Sequence, residues 1–444
     1  MNNQSSLTLF HAFCLLTALL SGPWLGWSGL SWLALWFLSF LKFDFALFTV
    51  FFYASFFHKI GVFPDLFFSI KHFHVAWGIL VLAEVWRKQC WSSIRLGLLE
   101  SKPLIPIAGV LFMAVLGGVL NGANLKVFAM TANFMSVLIM MVYLAGLSWT
   151  WPLLFRCLFY FAFGVFVQNL ANFYNLAQGT FIFELDLMYN NQFAVLNAIA
   201  FFYAFALCLA GPTAAIRRLS FLFSLLIFMA LLLSCSRSAW FAWLFSIVLW
   251  AVVSLQKSDP ASRQLYVRRL IPFAGIVIVI SLAAASLVSD IPERIELTPK
   301  LFNWNYWKYT FEDKQNFGFL GIMRLEQLET LTELLKKHPL TGIGFAGICT
   351  DFHGLYFILL GASGIPGLVF FLYFGAALSL RLAKALKNIS NSDLALIVTA
   401  NLSALLVWLS SSLLQSMLIH FSVWIVVLTS ILMSGPLRHK GNLS

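Results

Sequence analysis

Charge is scarce in this sequence: Asp, Glu, Lys and Arg make up 10% of its 444 residues, against about a quarter in a soluble domain. So thin a polar coat excludes a soluble globular fold. The six cysteines (Cys14, Cys90, Cys157, Cys208, Cys235, Cys349) show neither C-x-x-C nor Cys/His ligand spacing, so no metal centre is expected. Most fall in or beside apolar runs, where a thiol is a small hydrophobe. No Gly-rich loop of the P-loop or dinucleotide type occurs, so neither a nucleotide nor another cofactor is expected. The N-terminal MNNQSSLTLFHAFCLLTALLSG has no basic stretch ahead of its apolar run and reads as a retained span, not a cleaved signal. Internal repeats and low-complexity tracts are missing too.

Apolar residues fill the space that charge leaves. They make up 61% of the chain, mean hydropathy is +0.88, and 47 Phe and 16 Trp suit lipid contact and interfacial belts. The chain reads as an all-α polytopic membrane protein. Runs long enough to enter a bilayer lie near 8–22, 26–41, 44–57, 73–86, 104–121, 127–149, 151–170, 192–210, 219–236, 239–255, 270–288, 355–378, 394–410 and 412–434. Some of the short early runs could merge or lie at the interface, so about twelve spans are expected.

Orientation follows from the basic residues. More than half of the 28 Lys and Arg gather in four loops and the tail: Arg87, Lys88, Arg95 and Lys102; Arg217 and Arg218; Lys257, Arg263, Arg268 and Arg269; Arg381, Lys384 and Lys387; Arg438 and Lys440. All of these fall on one side, which the positive-inside rule makes cytoplasmic. The net charge of +11 is therefore mainly a topology signal. Spread over loops instead of one face, it excludes a nucleic-acid partner. The opposite side carries one large segment, 289–353, with nine of the 17 acids and almost as many bases. The expected organisation is a helical bundle over 1–288, an external loop domain over 289–353 and C-terminal spans over 354–444. One sizeable exported loop is where a membrane protein of this kind is expected to work.

Within that loop, IMRLEQLETLTELLKK (322–337) sets Leu325, Leu328, Leu331 and Leu335 at helical spacing, and Glu333 and Lys337 at the spacing of a surface pair. Most of its charges read as a solvated face. Arg324 stands apart, with no acid just before it. HPLTGIG (338–344) then stops the helix at Pro339, and Asp351 is placed to cap a new one with His353 in its first turn. A helix start carries partial positive charge, which suits an anion and favours the neutral imidazole. Gly361, Gly364 and Gly367 form a stripe for close helix packing. In LLLSCSRSAWFAW (231–243), Arg237 sits in a hairpin against the positive-inside trend, flanked by Ser234, Ser236 and Ser238; its plain alternative is snorkelling to head groups. Two guanidiniums suit a phosphate or pyrophosphate, and a neutral histidine suits general-base work on a hydroxyl. A membrane-embedded, pyrophosphorylated substrate of this kind is a polyprenyl-pyrophosphate glycan.

At these residues the sequence resembles the superfamily of O-antigen ligases and polymerases. The matching pieces are SRSAW (236–240), the Arg324 helix, HPLTGIG, and DFHGLYFILLGASGIPGL (351–368), which holds the family's His-x10-Gly pattern as His353 to Gly364. The resemblance covers the C-terminal half. It implies a bundle of about twelve spans in the bacterial inner membrane, working at the periplasmic face without metal or nucleotide. The donor would be an undecaprenyl-pyrophosphate-linked glycan, held by Arg237 and Arg324. His353 would activate the acceptor, lipid A–core in a ligase or a second lipid-linked repeat in a polymerase; the His-x10-Gly spacing leans towards the ligase. A transporter or flippase of lipid-linked sugars is the reading from another class. It would call for polar groups deep in several spans, and only Glu84 is an acid well inside a run.

Overall fold

The computed structural model describes the chain except residues 1–2, 21–26, 56–60, 64–69, 88–89, 123–124, 178–186, 235, 288–318, 346–353, 413–420, 436 and 438–444; within some helices the backbone alone is described. The helices are α1 (Asn3–Leu20), α2 (Trp27–Leu41), α3 (Phe43–Ala54), α4 (His72–Trp86), α5 (Cys90–Glu100), α6 (Ile105–Leu120), α7 (Leu125–Ala145), α8 (Trp151–Ala177), α9 (Leu187–Ala210), α10 (Ala214–Leu233), α11 (Arg237–Lys257), α12 (Pro260–Leu287), α13 (Phe319–Lys337), α14 (Leu355–Lys387), α15 (Ser392–Ser411) and α16 (Phe421–Ser434). A small antiparallel ribbon pairs β1 (Gly61–Phe63) with β2 (Ile70–Lys71); the other regular elements among the described residues are helical. Each of the expected apolar runs overlaps a helix over its described residues. Seven described helices are long and apolar enough to cross a membrane, and six shorter apolar stretches accompany them; the expected count of about twelve rests on those shorter ones. The sequence reading missed α5, whose CWSSIRLGLLE mixes charge into its apolar face. Gly97 of α5 and Gly146 after α7 let these backbones touch, with Gly97 against the Val142 carbonyl and Gly146 against that of Ser93.

The bundle is built around α9, buried throughout Gln192–Ala210 and flanked by α8, α10, α11 and α15. A helix apolar on every side belongs inside. Its polar residues are spent on neighbours. The Tyr203 hydroxyl donates to Asn401 Oδ1 at 2.6 Å, Thr429 donates to the same oxygen, and Asn401 Nδ2 donates to Ser430 Oγ at 2.9 Å. Asn169 Nδ2 donates to Asn197 Oδ1 at 2.7 Å. Being uncharged and bonded across helices, these clusters join α9 to α8, α15 and α16 as interhelical glue and offer no ionisable relay. Glu84 is likewise engaged: it is 2% exposed, accepts from Ser93 Oγ at 2.9 Å, and lies 3.6 Å from the Arg87 guanidinium.

The helix register separates two ends. Ser403 Oγ donates to the Ser246 carbonyl at 3.3 Å and the Asp259 amide donates to Ser392 Oγ at 3.2 Å, so α11 and α15 run antiparallel. Around Asp259 the connections lock together. Ser392 Oγ donates to its carboxylate at 2.7 Å, Lys257 Nζ reaches the Lys387 carbonyl at 3.4 Å, and Tyr266 donates to Asp393 at 2.7 Å. Hydrogen bonds from Ser262 and Ser392 hold the Asp259 carboxyl well below the usual carboxylate range. Lys257, Arg263 and Lys387, from two of the basic clusters, meet at this end. Arg269 bonds the carbonyl of Leu209 near the end of α9, and Lys257 meets the backbone end of α14 at Lys387.

Candidate active site

The opposite end is shaped by a break in α14. From the sequence, 355–378 reads as one uninterrupted span with a glycine packing stripe. The structure corrects this: Gly364 has φ 66° and ψ −171°, which is not helical. In an unbroken helix, the carbonyl of Gly361 would accept from Ile365 and that of Ala362 from residue 366. Residue 366 is proline and has no N–H, and the Ile365 amide turns away to the Pro339 carbonyl at 2.9 Å. The two freed carbonyls are met by the HPLTGIG segment: Ile343 N–H donates to Gly361 O at 2.9 Å and Gly344 N–H to Ala362 O at 3.0 Å. At membrane depth a broken helix survives only when each freed backbone group finds such a partner.

HPLTGIG is therefore a strap threaded into the broken helix. Its Ile343 and Gly344 amides are consumed there. On its other side lies the end of α6, where Asn121 Nδ2 donates to Gly117 O at 2.7 Å and to Gly342 O at 3.2 Å. Gly342 (φ 62°) and Gly344 (φ 86°) take conformations that L side chains rarely adopt. A Cβ on Gly344 would come within 2.8 Å of Gly118 Cα. α13 leads into the strap, with Leu331 buried and Glu333 and Lys337 exposed. The Glu333–Lys337 pair expected from spacing does not close; the ion pair found among the described residues is Arg87–Glu84.

α14 begins at Leu355 with Gly354 as its cap and no side-chain cap bond. Asp351 and His353, the expected cap and base, lie outside the described residues. The Leu355 amide donates to Ser412 O at 2.9 Å and the Tyr356 hydroxyl to Leu409 O at 2.9 Å, which ties the start of α14 to the end of α15. By the antiparallel register, the start of α11 at Arg237 comes level with that same end of α15. The starts of α11, at Arg237, and of α14, at Leu355, thus flank one end of the bundle.

The Arg237 side chain itself is outside the described set, but its hairpin is well defined. Ser234 Oγ donates to Leu231 O at 2.6 Å, Trp240 Nε1 donates to the same carbonyl at 2.9 Å, and Ser236 Oγ lies 3.3 Å from Ser238 Oγ. All three serines around Arg237 thus bond locally, and Ser234 and Ser236 are buried. Arg324 stands in the second turn of α13, about 20 Å along the helix from the strap, and its side chain is not described. Among the described residues, no three His, Cys, Asp or Glu side chains gather as a metal-ligand set.

No curated protein matches the chain. The family model described as O-antigen ligase matches residues 222–372, about one third of the chain, a stretch that contains Arg237, Arg324, the strap, His353 and the α14 break. Over that stretch the resemblance carried by SRSAW, HPLTGIG and DFHGLYFILLGASGIPGL is borne out: residues 222–372 of this multi-pass membrane chain are similar to the O-antigen ligase family.

Proposed function

We propose that the chain is an O-antigen ligase of the bacterial inner membrane. It transfers an undecaprenyl-pyrophosphate-linked glycan to lipid A–core at the periplasmic face, without metal or nucleotide. The observation that carries the reading is the family match, which spans the end of the bundle where α11 and α14 begin. Arg237 and Arg324 hold the donor pyrophosphate, and His353 takes the acceptor hydroxyl's proton as that oxygen attacks the anomeric carbon. The C–O bond to pyrophosphate breaks in the same displacement, with inversion.

Purified chain, given lipid-linked glycan and lipid A–core in EDTA, should yield glycan-bearing lipid A–core on a gel. Donor units joined to each other, with lipid A–core left bare, would instead identify a polymerase. Donor that crosses a liposome bilayer intact would identify a transporter. Hydrogen bonds to charged groups contribute about 1.5–3 kcal/mol. Arg237→Ala and Arg324→Ala should therefore raise the donor KM by about 10- to 150-fold, and Lys at either place should recover only part, because a point charge lacks the guanidinium fork. An unchanged KM in Arg324→Ala would return that residue to the solvated face of α13.

The periplasmic placement rests on the charge asymmetry between the two ends. Arg237→Cys in intact spheroplasts should react with an impermeant maleimide. Labelling only after the membrane is permeabilised would invert the topology.

A further inference from the structure

At the basic end, an open pocket of about 370 Å³ lies between the end of α9, the start of α10 and α12, lined by Cys208, Ala214, Arg217, Arg218, Phe221 and Arg269. We propose that this pocket binds the phosphate headgroup of an anionic phospholipid from the adjoining leaflet. The arginines come from two helices, and two of them are tethered. Arg217 Nη1 donates to Gly211 O at 2.7 Å and Arg269 Nη1 to Leu209 O at 2.6 Å. Anchoring each guanidinium through one N–H sets its position and leaves further donors on a planar fork. Freely snorkelling arginines would not be held this way.

Among the described residues no carboxylate balances them: the ion pair there is Arg87–Glu84, so three cations gather with no described acid within bridging distance. Arg217 and Arg269 are half-buried and Arg218 is exposed; like charges gathered so closely repel unless an anion sits between them. A phosphate diester supplies the charge and the acceptor oxygens that arginine forks fit.

The rest of the lining selects a lipid over free phosphate. Ala214, Phe221 and Cys208 give the pocket an apolar wall. Leu219 and Leu222 on α10 and Ile271 on α12 expose apolar surface close by in each helix, along which acyl chains can run. Basic pockets between spans on the cytoplasmic side are where acidic headgroups are recognised. The pocket is also separate from the proposed donor site. Arg217 lies in the first turn of α10 and Arg237 follows its last, about 30 Å apart along a 20-residue helix.

The test is a titration of the full chain in detergent with phosphatidylglycerol, read by native mass spectrometry against phosphatidylcholine. The wild type should retain phosphatidylglycerol preferentially, with millimolar inorganic phosphate failing to displace it. Arg218 makes no hydrogen bond or ion pair with the described residues, so Arg218→Gln removes charge without breaking a contact. A surface cation contributes about 1 kcal/mol to anionic-lipid binding, so Arg218→Gln should weaken the lipid about fivefold. Arg217→Gln with Arg269→Gln should erase the preference. Arg381→Gln, at the same end but outside the pocket, should change nothing. An equal loss in Arg381→Gln would reduce the effect to diffuse surface charge and overturn the proposal. So would phosphatidylcholine bound as tightly as phosphatidylglycerol, or displacement by inorganic phosphate.

Discussion

His353→Ala should abolish glycan transfer in cells while the protein accumulates, folds and binds donor nearly as the wild type does. Loss of a general base costs about 10²–10⁴-fold in rate, the larger figure being silence in a cellular assay. The residue just precedes the cap of α14, and that helix start is tied to the end of α15 through Leu355 and Ser412. Removing an imidazole ahead of the first turn breaks none of those bonds. His353→Asn keeps a hydrogen-bonding group but takes up no proton, and it should be as inactive as alanine. Wild-type activity should also fall as pH drops through the imidazole range, because the imidazolium cannot accept a proton. A wild-type rate and pH profile in His353→Asn would make the histidine a positioning group and leave the base elsewhere.

Much of the architecture could be read before the structure, because lipid imposes a simple rule. Each run of apolar residues must close its own backbone bonds, so each becomes a helix. One end could be read as well, since Lys257 and Lys387 were assigned to one side and a hydrogen bond beside Asp259 brings them together there. What stayed hidden is whatever depends on long-range backbone pairing. A glycine every third residue signals close approach, and helix packing is its commonest cause. That the Gly361 and Ala362 carbonyls would be met by amides about twenty residues earlier is not a periodicity and leaves no local trace. The nearest signal was Pro366 two residues after Gly364, since the proline deletes the N–H that the Ala362 carbonyl would need. The Tyr203–Asn401–Thr429 cluster escaped for the same reason. Its members are scattered singly through apolar runs and gain meaning only when α9, α15 and α16 meet.

The strap yields the second large effect, of the opposite kind. Gly364→Ala should cost most of the folded protein. The native φ and ψ at 364 lie where a residue with a Cβ is strained by about 1–3 kcal/mol. The added carbon would also stand 2.6 Å from the Leu340 carbonyl carbon and 2.7 Å from Pro339 O. Both are backbone atoms of the strap and cannot swing aside. If the strap is pushed out, the carbonyls of Gly361 and Ala362 and the amide of Ile365 lose their partners, and each orphaned buried group costs about 1–3 kcal/mol. Even the low ends of these ranges sum to several kcal/mol, a large share of the about 5–15 kcal/mol that a typical domain has. Gly275 is the control: it sits within α12 with nothing within 4 Å of its built Cβ, so Gly275→Ala should shift stability by no more than about 1 kcal/mol. Fluorescence-detected size exclusion after heating would compare the two. A Gly364→Ala protein that melts with the wild type would mean the strap is not seated in the break. The expected result separates the two kinds of loss: a chain missing from the membrane when the strap cannot seat, and a chain present but silent when the histidine is gone.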